Sequence, residues 1–159
     1  MPSPRLHVTC DHPGWGASLV KVVRQSVVAT LTHAGVTAGK QTPEISILLT
    51  GDEAIQELNR IWRGIDKPTN VLSFALEDDL TVVHPPRVRP LGDVVLAFET
   101  LVREAAEYEQ PLQEHLRRMV VHGVLHLLGY DHERSVDEAG RQEREEEVIL
   151  ATFKNSCVI

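Results

Sequence analysis

The string HGVLHLLGYDH, from His122 to His132, constrains this chain more than any other segment. It sets His122 and His126 four residues apart, then Gly129, then His132. Positions i and i+4 of an α-helix lie on one face, one turn apart. Two imidazoles placed so can reach one ion at about 2.0–2.1 Å, the usual Zn–N distance. Val124, Leu125, Leu127 and Leu128 fill the positions between, so the helix is otherwise expected to be buried. Gly129 suits the left-handed turn that ends a helix and sends the chain back. His132 would then reach the ion from outside the helix. Three imidazoles leave a tetrahedral ion one open position for water, the layout of a catalytic site rather than a closed structural one. A histidine pair at this spacing also arises by chance; the third histidine and the glycine set this string apart. One Zn2+ per chain is expected, although imidazole sites also accept nickel, copper or iron.

One residue of the pattern argues against a peptidase. The metal scaffold resembles that of the metzincin proteases, whose H-E-x-x-H motif carries a Glu as general base. This chain has Gly123 at that position, and glycine cannot accept a proton.

The 159 residues suit a single metallohydrolase-like domain spanning 1–159. No apolar run approaches the roughly 18 residues that cross a bilayer, and no signal peptide is evident. Cys10 and Cys157 are too few and too far apart for a disulfide framework, so a cytoplasmic protein is expected. The net charge of −7 weighs against nucleic acid, which usually meets a basic surface. Yet Arg60, Arg63, Lys67, Arg87, Arg89, Arg117 and Arg118 are grouped closely enough to line a local basic groove.

Hydrophobic periodicity orders the elements. Strands are expected at 5–10, 44–50, 71–76 and 92–98. A first helix opens at Pro13 and stops at Gly35. A second runs over 51–62 behind a Thr50–Glu53 capping box and ends at Gly64. Helices follow at 99–109, from Pro111 through the histidine motif, and from a Ser135–Glu138 capping box to about Phe153. The acids Glu143, Glu145, Glu146 and Glu147 read as the solvated face of that last helix. The loop at 77–90 is long for a compact domain, as an active-site lid or a disordered edge would be. The sum is an α+β fold, about five helices on a small mixed four-stranded sheet, with the metal motif on a buried helix.

Around the motif, His115 lies on the same stripe, about two turns before His122. It is either a support for the metal site, a group facing RNA, or an ordinary exposed or core-edge histidine. Asp131 either orients a ligating imidazole or caps the turn after Gly129. Arg63 ends the second helix, followed by Lys67. It is either a surface charge near the helix carbonyls or a guanidinium fork for phosphate.

Taken together, LNRIWRGIDKPTNVLSF, LGDVVLAF and HLRRMVVHGVLHLLGYDH resemble the YbeY family of bacterial rRNA maturation factors. The likeness runs from Leu58 to His132 in order. It implies a zinc-dependent, single-strand-specific endoribonuclease that processes the 3′ end of small-subunit rRNA and serves ribosome quality control. It implies His122, His126 and His132 as metal ligands and Arg63 as the functional arginine that contacts RNA. Ala75 departs from the family, which usually has proline after L-S-F. Single-stranded rRNA and the small ribosomal subunit are the expected partners, with no membrane and no DNA. Two other classes stay open on the residues alone: a non-catalytic assembly factor with a structural metal, and a metallohydrolase of amide or ester bonds.

Overall fold

β1 (Arg5–Cys10), β2 (Thr42–Thr50), β3 (Val71–Ala75) and β4 (Val88–Ala97) form one sheet in the order β1-β2-β4-β3. β1 and β4 run parallel to β2, and β3 pairs antiparallel with β4, which makes the sheet mixed as expected. Five α-helices accompany it: α1 (Ala17–His33), α2 (Asp52–Arg63), α3 (Phe98–Glu107), α4 (Leu112–Leu127) and α5 (Val136–Asn155). This computed structural model describes residues 3–76, 87–130 and 136–155.

Alternation along the strands sorts the core into layers. Ile45, Ile47 and Leu49 of β2, with Val94 and Leu96 of β4, face Val23, Val27 and Leu31 of α1 and Leu116, Val120 and Val124 of α4. Val95 and Ala97 point the other way and meet Ile55 of α2 with Leu72 of β3. α4 is therefore wrapped: α1, α3 and α5 flank it, and β3 and β4 lie beneath it. A third cluster, Val121 and Leu125 against Ile149 and Leu150, seats α5 on its outer side.

Several boundaries differ from the sequence expectation, each for a tertiary reason. α1 starts at Ala17, not Pro13, because His12 holds the preceding turn: Gly14 N–H donates to its Nδ1 at 2.9 Å. Trp15 is pinned in that turn by its Nε1–H donating to the Thr50 carbonyl. A single 3₁₀ turn, Val36–Ala38, follows α1. The Thr50–Glu53 capping box does not form; Gly51 is the N-cap and makes no side-chain cap. Instead α2 and α3 cap each other. Glu99 accepts the Asp52 N–H at 3.1 Å, and Asp52 accepts the Thr100 N–H at 3.1 Å and its hydroxyl at 2.6 Å. Acids at helix N-termini also complement the dipole. β4 begins at Val88, inside the stretch expected to be loop. Pro90 is tolerated there because a bulge interrupts the ladder beside it, Glu44 pairing with Pro90 and Ile45 with Gly92. Gly92 is required at that step, since an added Cβ would lie 2.1 Å from the Phe74 carbonyl oxygen. Residues 77–86, and the expected Ser135–Glu138 box, fall on or beside residues outside those described.

Candidate metal and RNA site

α4 carries His122 and His126 on adjacent turns, both half-buried. The helix ends as its sequence requires: Gly129 takes φ 99°, and the Tyr130 N–H returns to the Leu125 carbonyl at 3.2 Å. His132 and Asp131 lie outside the described residues. Among the described residues no group of three or more His, Cys, Asp or Glu side chains gathers as a metal site.

One close contact in the site was not expected from the sequence. Glu146 of α5 places a carboxylate oxygen 2.6 Å from His122 Nδ1, across 24 residues. Its side chain is 8% exposed, against 26% for His122. A carboxylate accepts, so Nδ1 carries a hydrogen, and in the neutral ring the lone pair lies on Nε2. Gln142, one turn earlier on α5, sits 3.2 Å from the same Nδ1 and 3.3 Å from the His122 carbonyl oxygen. With Nδ1 already donating, the amide hydrogen goes to the carbonyl.

The acids of α5 are thus only partly a solvated face: Glu143 and Glu147 are exposed, Glu145 is half-buried and Glu146 is buried. Glu145 pairs with His33 of α1, Glu146 with His122, and Glu147 with Arg118 at 2.8 Å. The run clamps the helix onto α1 and α4. One signal was legible: Gln142 and Glu146 share the helical spacing of Ile149, Leu150 and Phe153, the buried face.

Gly123, where a zinc peptidase has its base, is buried under the sheet. A Cβ there would lie 2.9 Å from Val94 Cγ1 and 3.1 Å from both Ser73 Oγ and Val71 Cγ2. Ser73 donates to the Gly123 carbonyl at 2.9 Å. The position belongs to the contact between α4 and β3, and no glutamate fits it without parting them.

His115 takes a different role from a group facing RNA. It is 2% exposed, and its Nε2 lies 3.0 Å from Glu104 of α3. Asn70 donates to the same carboxylate at 3.1 and 3.2 Å and accepts the Val71 N–H at 2.7 Å. Tyr108 covers the ring edge to face, 5.6 Å between centroids. His115, Glu104 and Asn70 tie α4, α3 and the start of β3 together.

Arg63 is exposed at the end of α2, which Gly64 closes. The segment after it is held by the helix: Asn59 Nδ2 donates to the Lys67 carbonyl at 2.9 Å, and Gln56 donates to Asp66 at 3.0 Å. Lys67 is exposed. That segment leads through Asn70 into β3, whose Val71 and Ser73 pack on Gly123 beside His122. Beside Arg63, Trp62 is 68% exposed and meets Phe74 edge to face at 5.9 Å. The two rings line a groove of about 880 Å³ between α2 and the sheet.

The class defined so far is an α+β protein with one mixed sheet and a histidine pair on its central helix, one imidazole set by a buried carboxylate. Comparison with known proteins places it further: the family model described as Endoribonuclease YbeY matches residues 16–154, and the chain belongs to that family. An Endoribonuclease YbeY of Magnetococcus marinus is 54% identical over 113 residues, covering 68% of this chain and 77% of that protein. One from Roseiflexus sp. is 48% identical over 133 residues, covering 82% and 81%. The solution structure of TM1509 from Thermotoga maritima matches the fold with a TM-score of 0.58 at 23% identity, over 96% of this chain and 93% of that one. The likeness in sequence extends well beyond the motifs, and the expected fold class holds.

Proposed function

We propose that this chain is a metal-dependent endoribonuclease specific for single-stranded RNA, with zinc as its metal. We propose further that it acts in the cytoplasm on the 3′ end of small-subunit rRNA and in ribosome quality control, with the small subunit as its partner. Membership of an endoribonuclease family supports the first part. The observation that carries the metal is the His122–Glu146 contact. Ligating histidines usually donate their second N–H to a carboxylate, which fixes the tautomer and aims the other nitrogen at the ion. The donor set fits: neutral imidazoles from His122 and His126 one turn apart, with His132 as the third ligand. Zinc held there would supply Lewis-acid chemistry for phosphodiester cleavage.

The chain's own residues supply the rest. Arg63 binds the scissile phosphate by charge-assisted hydrogen bonds and stabilises the charge that develops there. Lys67 adds a second cation on the same segment. The exposed face of Trp62 beside Arg63 offers a stacking surface next to a phosphate ligand, the combination that single strands use. Gly123 contributes no proton acceptor. No helix among the described residues is long and apolar enough to cross a membrane.

The test is cleavage of a labelled single-stranded RNA by metal-quantified protein, beside His126→Ala prepared identically. Cleavage at near-stoichiometric zinc, lost in the variant, is the expected result. Equal cleavage by both would sink the reading. A 2′,3′-cyclic phosphate product marks attack by the RNA 2′-hydroxyl; a direct 5′-phosphate excludes it.

A further inference from the structure

Glu146 occupies a position on α5 whose neighbours on the same face, Ile149 and Leu150, are buried apolar residues. A carboxylate there is costly unless a partner answers it. The nearby cation does not: Arg118, one turn before His122 on α4, pairs with Glu147 instead. The carboxylate is answered by the imidazole of His122. Gln142 beside it is also buried, and its Oε1 has no hydrogen-bond partner. α5 therefore spends two buried polar side chains on one face of one histidine.

We infer that Glu146 is the positioning residue of the metal site: it holds His122 as the Nδ1–H tautomer, aims Nε2 at the ion, and so sets metal affinity. The inference rests on the metal reading above and adds the residue that tunes it. Glu146 touches neither substrate nor the reacting atoms and acts through His122. A tether between α5 and α4 would need no particular tautomer. The Glu145–His33 and Glu147–Arg118 pairs already serve that purpose.

The experiment uses the full chain, stripped of metal. Zinc is titrated against a chromophoric chelator for wild type, E146Q, E146A and the control E147Q. In parallel, the ring nitrogens of His122 are followed by 15N correlation spectra of the metal-free protein in mildly alkaline buffer. In wild type, Nδ1 should carry the hydrogen. In E146A the tautomers should mix and zinc affinity should fall about 10- to 100-fold. E146Q keeps the volume and one acceptor oxygen, so a smaller loss is expected; it carries the test if E146A does not fold. E147Q, which loses a pair on the same helix, should bind zinc as wild type does. Unchanged affinity in E146Q and E146A, or an Nε2–H tautomer in wild type, would overturn the inference while leaving the metal reading intact. A wild type that takes up no zinc would overturn both.

Discussion

His115 and His122 stand about two turns apart on α4, and each meets a carboxylate from a neighbouring helix, yet the two pairs are wired in opposite senses. His115 turns Nε2 to Glu104, which leaves its lone pair on Nδ1, a buried atom without a hydrogen-bond partner. His122 turns Nδ1 to Glu146, which leaves its lone pair on Nε2, on a ring that keeps 26% of its surface. In the first pair the histidine is sealed at 3% and the acid is the more exposed partner at 22%; in the second the acid is sealed and the histidine reaches out. The residue types are the same. Which nitrogen is tied, and which partner is buried, separates a bracket of the core from the proposed ligand.

The largest effect should come from exchanging the two histidines as targets. His122→Ala or His126→Ala should abolish RNA cleavage while the far-UV circular dichroism of the protein is retained. His115→Ala should leave cleavage per folded molecule close to wild type. Loss of cleavage in a well-folded His115→Ala would break the comparison outright.

Next comes the floor shared by both pairs. Gly123→Ala forces a methyl against Val94, Ser73 and Val71. It should destabilise by about 1–3 kcal/mol, the usual cost of overpacking, read from urea unfolding. Its zinc affinity reports whether parting β3 from α4 disturbs the ligands.

A smaller effect is expected at the bracket. Glu104→Gln keeps the shape but weakens the acceptor shared by His115 and Asn70, and should cost about 1–2 kcal/mol of stability. Zinc affinity should not change, in contrast to E146Q.

The smallest effect supplies a baseline for a carboxylate with no histidine. Burial alone would raise the Asp52 pKa, but hydrogen bonds from Thr100 and Arg103 and the charge of Arg103 outweigh it and hold it below the ordinary 3.8. A depressed carboxylate stabilises the fold above its unfolded pKa. That contribution disappears as the pH falls through the lower folded value. The gap in melting temperature between wild type and Asp52→Asn should therefore be present at neutral pH and close under acid. A gap that widens on acidification would contradict the mutual capping of α2 and α3.

Much of this was legible in the sequence because it is local. The spacing of His122, His126 and Gly129 is a property of one helix and its end, and four strands announced themselves by alternation. What was not legible depends on distant partners. Thr50 and Glu53 look like a capping box, but Gly51 is the N-cap and Glu99, far along the chain, accepts the Asp52 N–H of the first turn. Pro90 reads as loop because only the bulge opposite Glu44 makes room for a residue without an N–H. Glu146 hid within a run of acids that resembles a solvated face. Its helical phase with Ile149 was the one clue that it points inward, and phase alone does not name the histidine it meets. Asp131 was weighed for the orienting role that Glu146 holds toward His122.

Chain order gives the His122–Glu146 contact a consequence in time. A ribosome synthesises His122 well before Glu146. Until α5 docks, the emerging imidazole lacks the carboxylate that selects its tautomer, and the outer side of α4 is bare. If the proposed substrate is the RNA of the machine that makes this chain, the proposed metal site gains its orienting carboxylate last, from the helix that leaves the ribosome after every other described element.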